Sequence, residues 1–222
     1  MNVEIWSDVA CPWCYIGKRR LEAALAGFEH RDEVEIRWRS FELDPSAPRE
    51  RDVDIATHLA RKYGTSREQA IAMQQRVRDT GAGDGIEFRF DIARAGNTFD
   101  AHRLLALAAD RGLQDGLKER LLRAYHSEGE AIGDPATLER LAVEAGLDRE
   151  EAHEVLAGDR YGEQVRDDER TAERFGISGV PFFVVNRSLG ASGAQPAELL
   201  GELLARAWEA EHDPAAAVTG RR

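Results

Sequence analysis

The chain has 222 residues, 42% of them apolar, and its 30 basic and 41 acidic residues give a formal charge of -11. That balance argues against nucleic acid or an anionic membrane as the main partner, since both select for basic faces. No apolar run approaches a bilayer span, so a packed core in one or two domains is expected.

The first element is Val3-Glu4-Ile5-Trp6, a short strand with no basic or apolar leader before it. No secretory signal is read there, and a cytoplasmic location is expected. Next comes Ser7-Asp8-Val9-Ala10-Cys11-Pro12-Trp13-Cys14, which holds both cysteines of the chain. After it, Leu21, Ala24, Leu25 and Phe28 recur at helical spacing. The cysteines therefore sit where a strand turns into a helix, with Cys11 near the N-cap and Pro12 in the first turn, where a missing N–H costs nothing. Unpaired amides and the partial positive charge of a helix N-terminus favour a thiolate, so Cys11 is expected to titrate below a free cysteine. Cys14 lies one turn later, within reach for an intramolecular disulfide. A C-x-x-C beside a βαβ pattern is a thioredoxin-like redox signature. Two structural cysteines are the bland alternative. A zinc site would need four ligands; no second cysteine pair exists, and His102, His126 and His153 show no ligand spacing, so no metal is expected.

Val34 to Trp38 alternates apolar and polar residues and predicts a second strand, continuing through Phe41 and Leu43 towards Pro45 and Pro48. The helix between makes a parallel pairing of the two strands expected. From Val53 to about Ala172 the patterns are mostly helical. Thr65-Ser66-Arg67-Glu68 reads as a capping box. Gly85 to Phe90 reads as a brief extended piece. Asn97 or Thr98, Asp134-Pro135 and Asp148 start further helices. A charged helix spans about Tyr161 to Phe175, with the acidic run Asp167-Asp168-Glu169 on its surface. Phe182 to Val185 is a continuous apolar run expected of a buried strand. Leu189 to Gln195 gives another strand, and Pro196 opens a last helix, with a frayed tail after His212. Residues 1–48 and 161–222 would thus form one α/β domain, with residues 49–160 as a helical insertion.

At this point the residues resemble a known family. Cys11-Pro12-Trp13-Cys14 after a strand, a helical insertion, and Gly179-Val180-Pro181 before an apolar strand look like the DsbA-like branch of the thioredoxin superfamily. Four stretches are similar to the FrnE-type proteins within it: Ser7-Asp8, Cys11 to Lys18, Asn97 to Leu104, and Ser192 to Pro196. Those proteins are relatives of the hydroxychromene-carboxylate isomerases and kappa-type glutathione transferases. The resemblance implies an α/β, thioredoxin-like fold with a helical insertion domain, and thiol–disulfide redox chemistry. Cys11 would attack and Cys14 resolve the mixed disulfide. It also implies a cis Pro181 facing the cysteines, with the backbone of Val180 free to pair with an extended substrate.

Pro12 and Trp13 would tune the redox poise. DsbA carries a histidine between its cysteines, where this chain has Trp13, so a less oxidising protein than DsbA is expected. Asp8 reads either as a proton relay near Cys14 or as a cap of its loop. Asn97 and His102 are family-like positions that line the cleft between domains or simply belong to the packing. Lys18, Arg19 and Arg20 read as a solvated helix face, or as attractors of glutathione carboxylates. Trp6, Trp38 and Trp208 read as packing residues.

The leading function is a cytoplasmic thiol–disulfide oxidoreductase acting on disulfide or dithiol substrates, protein or small molecule, with no bound cofactor and with glutathione as a conceivable thiol co-substrate. The alternative is a glutathione-dependent isomerase or transferase. Those relatives typically carry serine at the position of Cys11, and the presence of both Cys11 and Cys14 favours redox chemistry. The sequence sets no oligomeric state.

Overall fold

The computed structural model describes residues 1–212. A four-stranded sheet is ordered β2-β1-β3-β4. Its centre is β1 (Asn2–Ser7), which runs parallel to β2 (Glu35–Ser40) and antiparallel to β3 (Phe182–Val185); β4 (Leu189–Ser192) pairs antiparallel with β3. Ile5 stands opposite Trp38 on one side and Phe183 on the other. The parallel β1–β2 pair needs a crossover, which α1 (Pro12–Ala26) supplies. β3 and β4 are joined by a hairpin whose turn holds Asn186 and Arg187 at positive φ.

Strand alternation sends Val3 and Ile5 to one face, where they pack with Leu21 and Ala24 of α1 and Leu200 and Leu204 of α9 (Ala197–His212). Trp6 goes to the other face, with Ala172 of α8 (Gly162–Arg174), Ile177 and Val184. That second face is not purely apolar. Glu4 is buried there and accepts from Arg39 and Arg187, which together hold its carboxyl low despite its burial. Asp168 is buried too, accepting from Ser40 N (3.0 Å) and from Arg39 Nη1 (2.9 Å). It is therefore not the surface residue its acidic neighbours suggest, because α8 turns that one position of the run onto the edge of β2.

Between β2 and α8 the chain is helical: α2 (Ile55–Tyr63), α3 (Arg67–Gly83), α4 (Phe99–Asp110), α5 (Gln114–Arg123), α6 (Pro135–Glu144) and α7 (Arg149–Ala157). Leu104, Leu107, Leu117, Leu121, Leu138, Leu141 and Val155 form the core shared by α4 to α7, while Val77 of α3 packs instead with Tyr15 and Ile16 of α1. The capping box of α3 is Ser66 with Gln69, one residue later than the spacing from Thr65 suggests. Gly85 to Phe90 forms no strand; Ile86 and Phe88 instead anchor that segment against Tyr15 and Ile16 of α1. The fraying expected after His212 lies outside the described residues. Among the described residues, no helix is long and apolar enough to cross a membrane.

Two connections bring the helical part onto the sheet. The loop before α2 is clamped by Arg51 N donating to Ala95 O (2.9 Å) and Asn97 N donating to Pro48 O (2.9 Å). Gly133 permits the approach, since a Cβ there would lie 1.8 Å from Arg49 O. Along the free edge of β2, α5 docks on the strand: Trp38 N donates to Gln114 Oε1 (3.0 Å) and Trp38 Nε1 to Asp115 Oδ1 (2.9 Å).

Candidate active site

Cys11 is the N-cap of α1 in an extended conformation, with Pro12 at the first helical position. Cys11 N donates to Asp8 O (3.3 Å) and Cys14 N to Cys11 O (3.0 Å), so the loop folds back on itself before the helix begins. Both cysteines are free thiols and buried; Cys11 keeps 4% of its surface and Cys14 none. The Val180–Pro181 peptide bond is cis, and Cys11 Sγ lies 3.5 Å from Val180 O. Pro181 packs on Gly17, one turn beyond Cys14. A Cβ at Gly17 would lie 2.9 Å from Pro181 Cγ and 3.3 Å from Phe183 Cζ, so only glycine leaves room for this approach.

Cys11 opens onto a cavity of about 380 Å³ between the α/β half and the helices. Trp13, Gly179 and Val180 form its near wall; Ile55, Leu59, Met73, Val77 and Tyr125 form the apolar far wall. Lys62 and Arg51, the latter paired with Asp44, are the cations of its lining, and burial pushes the imidazole of His58, also in the lining, below its ordinary value. Trp13 is 40% exposed.

The other side of the pair is closed and charged. Asp8 is buried, accepting from Leu43 N (2.8 Å) and Ala10 N (3.3 Å), with His102 Nε2 3.4 Å from its Oδ1. Burial raises the Asp8 carboxyl, but His102 and the Leu43 amide outweigh it and leave it below the usual carboxylate range. His126 Nε2–H donates to Val9 O (3.0 Å), and burial pushes its imidazole down to about 3. It is a neutral prop of the cysteine loop.

The thiols titrate as a pair, and the direction differs from the sequence expectation. The Cys11 proton has two acceptors, Cys14 Sγ and Val180 O. Its bond to Cys14, then its burial, hold the Cys11 thiol well above the ordinary range. Burial raises Cys14 as well, but the bond from Cys11 and the charge of Lys118 outweigh it and lower it. In the dithiol the first negative charge belongs to the pair, held by the hydrogen bond between the two sulfurs. The helix N-terminus still acts on Cys11 through the Cys14 amide, but two thiols this close share one charge.

The structure brings together Asp8, Cys11, Cys14, Pro12, Trp13, Val180 and Pro181. It places Asn97 and His102 away from the cavity. Asn97 Oδ1 accepts from Phe99 N (2.8 Å) and its amide reaches Pro45 O (3.4 Å), so it shapes the start of α4 rather than a cleft wall. His102 is buried behind Asp8, because α4 turns it inward with Leu105 and Ala106. Lys18 and Arg19 are neither a solvated face nor carboxylate attractors. Lys18 is buried in ion pairs with Glu22, Asp115 and Glu119, and Arg19 pairs with Glu22 and Glu119. Arg20 pairs with Asp84 (3.1 Å).

Three features were not read from the sequence. Lys118 is fully buried on α5. Tyr125 and His126 lie on a π-turn (Ala124–Glu128) that follows α5 and carries both onto the cavity. Arg51, His58 and Lys62 meet at the cavity from a loop and one helix. The only signal for the first was a lysine adjoining the leucine stripe Leu117, Leu121, Leu122; the others carry no local signal.

A family model described as a DSBA-like thioredoxin domain matches residues 2–205. The chain belongs to that family. Its sheet and inserted helices are the DsbA-like form of the thioredoxin fold, and the family acts on thiols and disulfides. A probable DsbA oxidoreductase from Streptomyces coelicolor is 48% identical, with a TM-score of 0.89 over 94% of this chain and 90% of that one. Two structures of lower sequence identity share the fold. The cytosolic disulfide reductase DsbM from Pseudomonas aeruginosa, solved with GSH, is 20% identical, with a TM-score of 0.62 over 96% of this chain and 98% of that one. A 2-hydroxychromene-2-carboxylate isomerase is 14% identical, with a TM-score of 0.63 over 97% and 100%.

Proposed function

We propose that this DsbA-like protein is a cytoplasmic thiol–disulfide oxidoreductase of FrnE type in which Cys11 attacks and Cys14 resolves. The observation that carries this reading is the placement of Cys11. It is the sulfur at the cavity, 3.5 Å from the carbonyl of Val180, while Cys14 has no exposure. Attack begins when the Cys11 proton passes to Cys14 along their shared hydrogen bond, which moves the charge to the sulfur that meets substrate. Cys11 then forms the mixed disulfide and releases the first thiolate of the substrate. Cys14 then gives that proton to the departing thiolate, closes the enzyme disulfide and releases the second substrate sulfur as a thiolate. Val180 presents backbone for an extended substrate, and Pro12 and Trp13 border the approach. Asp8 holds the loop and places a negative charge behind the pair.

The test is reductive cleavage of insulin and capture of substrates by Cys14→Ser. Turnover lost in Cys11→Ser, with mixed disulfides accumulating on Cys14→Ser, is the expected result. Turnover that survives Cys11→Ser would end this reading.

A glutathione-dependent isomerase or transferase is the second reading. Lys62 and the Asp44-paired Arg51 in the lining support it, because a cation there suits a small anionic thiol beside Cys11. Isomerisation or conjugation that requires added glutathione and survives Cys14→Ser would select it.

A further inference from the structure

The buried stripe of α3 runs Ala70, Gln74, Val77 and Gly81, at helical spacing. Three of the four serve packing or close approach. Ala70 is fully buried, Val77 meets Tyr15 and Ile16, and Gly81 has no side chain where the ring of Phe88 lies against the helix. Gln74 breaks the pattern. It keeps 7% of its surface, and its Nε2 has no hydrogen-bond partner among the described residues. An amide N–H buried without an acceptor destabilises the fold, so its presence in an apolar stripe calls for a reason.

The reason lies in the cavity. Gln74 lines the same space as Cys11, and Leu59, Met73, Val77 and Phe90 line it with hydrocarbon. Tyr125, carried there by the π-turn, adds a buried phenol to the lining. The sulfur that meets substrate and an unpaired N–H donor thus share one cavity of about 380 Å³. That volume is at the lower end of small-molecule sites. The apolar lining takes a hydrocarbon stem. The donor is neutral, so its counterpart is a neutral oxygen acceptor on that stem, an amide carbonyl. An anion is served elsewhere in the lining, by Lys62 and Arg51.

We propose that Gln74 sets the substrate class of this site: its amide N–H donates to the carbonyl oxygen of a small acylated aminothiol whose sulfur is joined to Cys11. This rests on the reading of Cys11 as the attacking sulfur. The Cys11 thiolate attacks a disulfide of that thiol; one S–S bond breaks, the Cys11 mixed disulfide forms, and one thiolate leaves and takes up a proton. The arm left on Cys11 extends into the cavity, its stem against Leu59, Met73 and Val77 and its carbonyl at Gln74. The free protein carries the unpaired donor, and the substrate satisfies it. A disulfide of equal length but purely hydrocarbon fills the same space and leaves Nε2 unpaired, so the site discriminates against it. The insertion domain thus contributes selectivity through a residue on α3.

The experiment measures tethering to Cys11 in full-length Cys14→Ser protein, alone and combined with Gln74→Met or Gln74→Leu. Each protein is equilibrated with a symmetrical disulfide and its thiol, and the mixed disulfide is counted by mass spectrometry. Three arms are used: 2-acetamidoethyl, pentyl (the same length without the amide) and N-acetylcysteine amide. Either Gln74 variant should lower the equilibrium constant for the acetamidoethyl arm about tenfold and leave the pentyl arm within about twofold. Urea midpoints of both variants should stand at or above that of the Gln74 protein, because an unpaired buried group is gone. An equal fall for both arms overturns the proposal, since Gln74 would then act by packing. No change for either arm also overturns it, since Nε2 would then be satisfied by water alone. A loss confined to N-acetylcysteine amide gives the carbonyl to a peptide backbone and overturns the small thiol. Lowered midpoints in both variants would mean that the fold itself satisfies the amide, and overturn it as well. Should one variant not fold, the other decides. A Cys11 that tethers no arm in any protein would count against the redox reading itself, and is distinguishable from one that tethers all three without regard to Gln74.

Discussion

The two sulfurs of this protein are one helical turn apart and live in opposite surroundings. Cys11 faces a cavity of about 380 Å³, bordered by an exposed Trp13 and the carbonyl of Val180. Cys14 faces inward, towards buried Asp8 and Lys118. The first surface is mostly apolar and open; the second is closed and charged. The difference assigns recognition to one side of the pair and control of charge to the other. The N-terminus favours charge on Cys11, but the hydrogen bond between the two thiols, then the burial of Cys11, raise that thiol.

Exchanging each sulfur is the harshest way to break the comparison. Cys11→Ser is expected to bring insulin reduction down to the uncatalysed rate, because the remaining thiol cannot reach substrate. Cys14→Ser should keep the first step and accumulate mixed disulfides visible by mass spectrometry. Equal loss in both variants with no trapped adduct would mean that the two sides are not divided in this way.

The inner side also predicts an acid limb of stability. His126 is held neutral, down to about 3 in the fold against about 6.5 unfolded. Its folded value is depressed, so the unfolded chain binds the proton first. Stability from this source is complete above about pH 6.5 and falls by up to about 1.4 kcal/mol per pH unit below it. Asp8, also depressed, adds its loss only below the ordinary carboxylate range. Urea unfolding between pH 7 and pH 4.5 should therefore slope steeply in wild type and flatten in His126→Gln. An unchanged slope would remove His126 as its origin.

The outer side was far more legible in the sequence than the inner one. Its parts are local: a strand, two cysteines three positions apart, a proline before an apolar strand. Each carries a signature within ten residues. The inner side is assembled from positions 8, 102, 118 and 126, on a loop, two helices and a π-turn. Lys118 looks like any lysine until Leu117 and Leu121 are seen to be packed against other helices. For Asn97 and His102 likeness leaves the cleft and the packing both open, and only the way α4 begins and turns puts them in the packing. Asp168 shows the same limit, since its burial depends on Arg39 and Ser40 of a strand some 130 residues earlier.

Gly17 is where the two sides touch, under Pro181. Gly17→Ala puts a methyl 2.9 Å from Pro181 Cγ, so either the helix or the loop must give. The expected cost is about 1–3 kcal/mol in unfolding free energy. Insulin turnover should fall with it, because the Val180 carbonyl moves from Cys11. Stability lost with turnover kept would show that the loop position is not critical.

The mildest test separates recognition from sulfur chemistry at Trp13. Its ring is on the cavity wall and keeps 40% of its surface, so an incoming chain can bury the rest. Trp13→Ala should lower kcat/KM for a protein disulfide about tenfold, about 1.4 kcal/mol, in the range of a partly buried aromatic contact. Reaction with dithiothreitol should stay the same, because so small a thiol touches the sulfur and not the wall. The titration of thiolate absorbance at 240 nm should also stay, since Trp13 borders the cavity and takes no part in the hydrogen bond between the thiols. A parallel fall with both substrates would mean that Trp13 works by shielding the Cys11–Cys14 hydrogen bond from water. Recognition would then pass to the wall formed by Ile55, Leu59 and Tyr125, where Leu59→Ala becomes the informative variant.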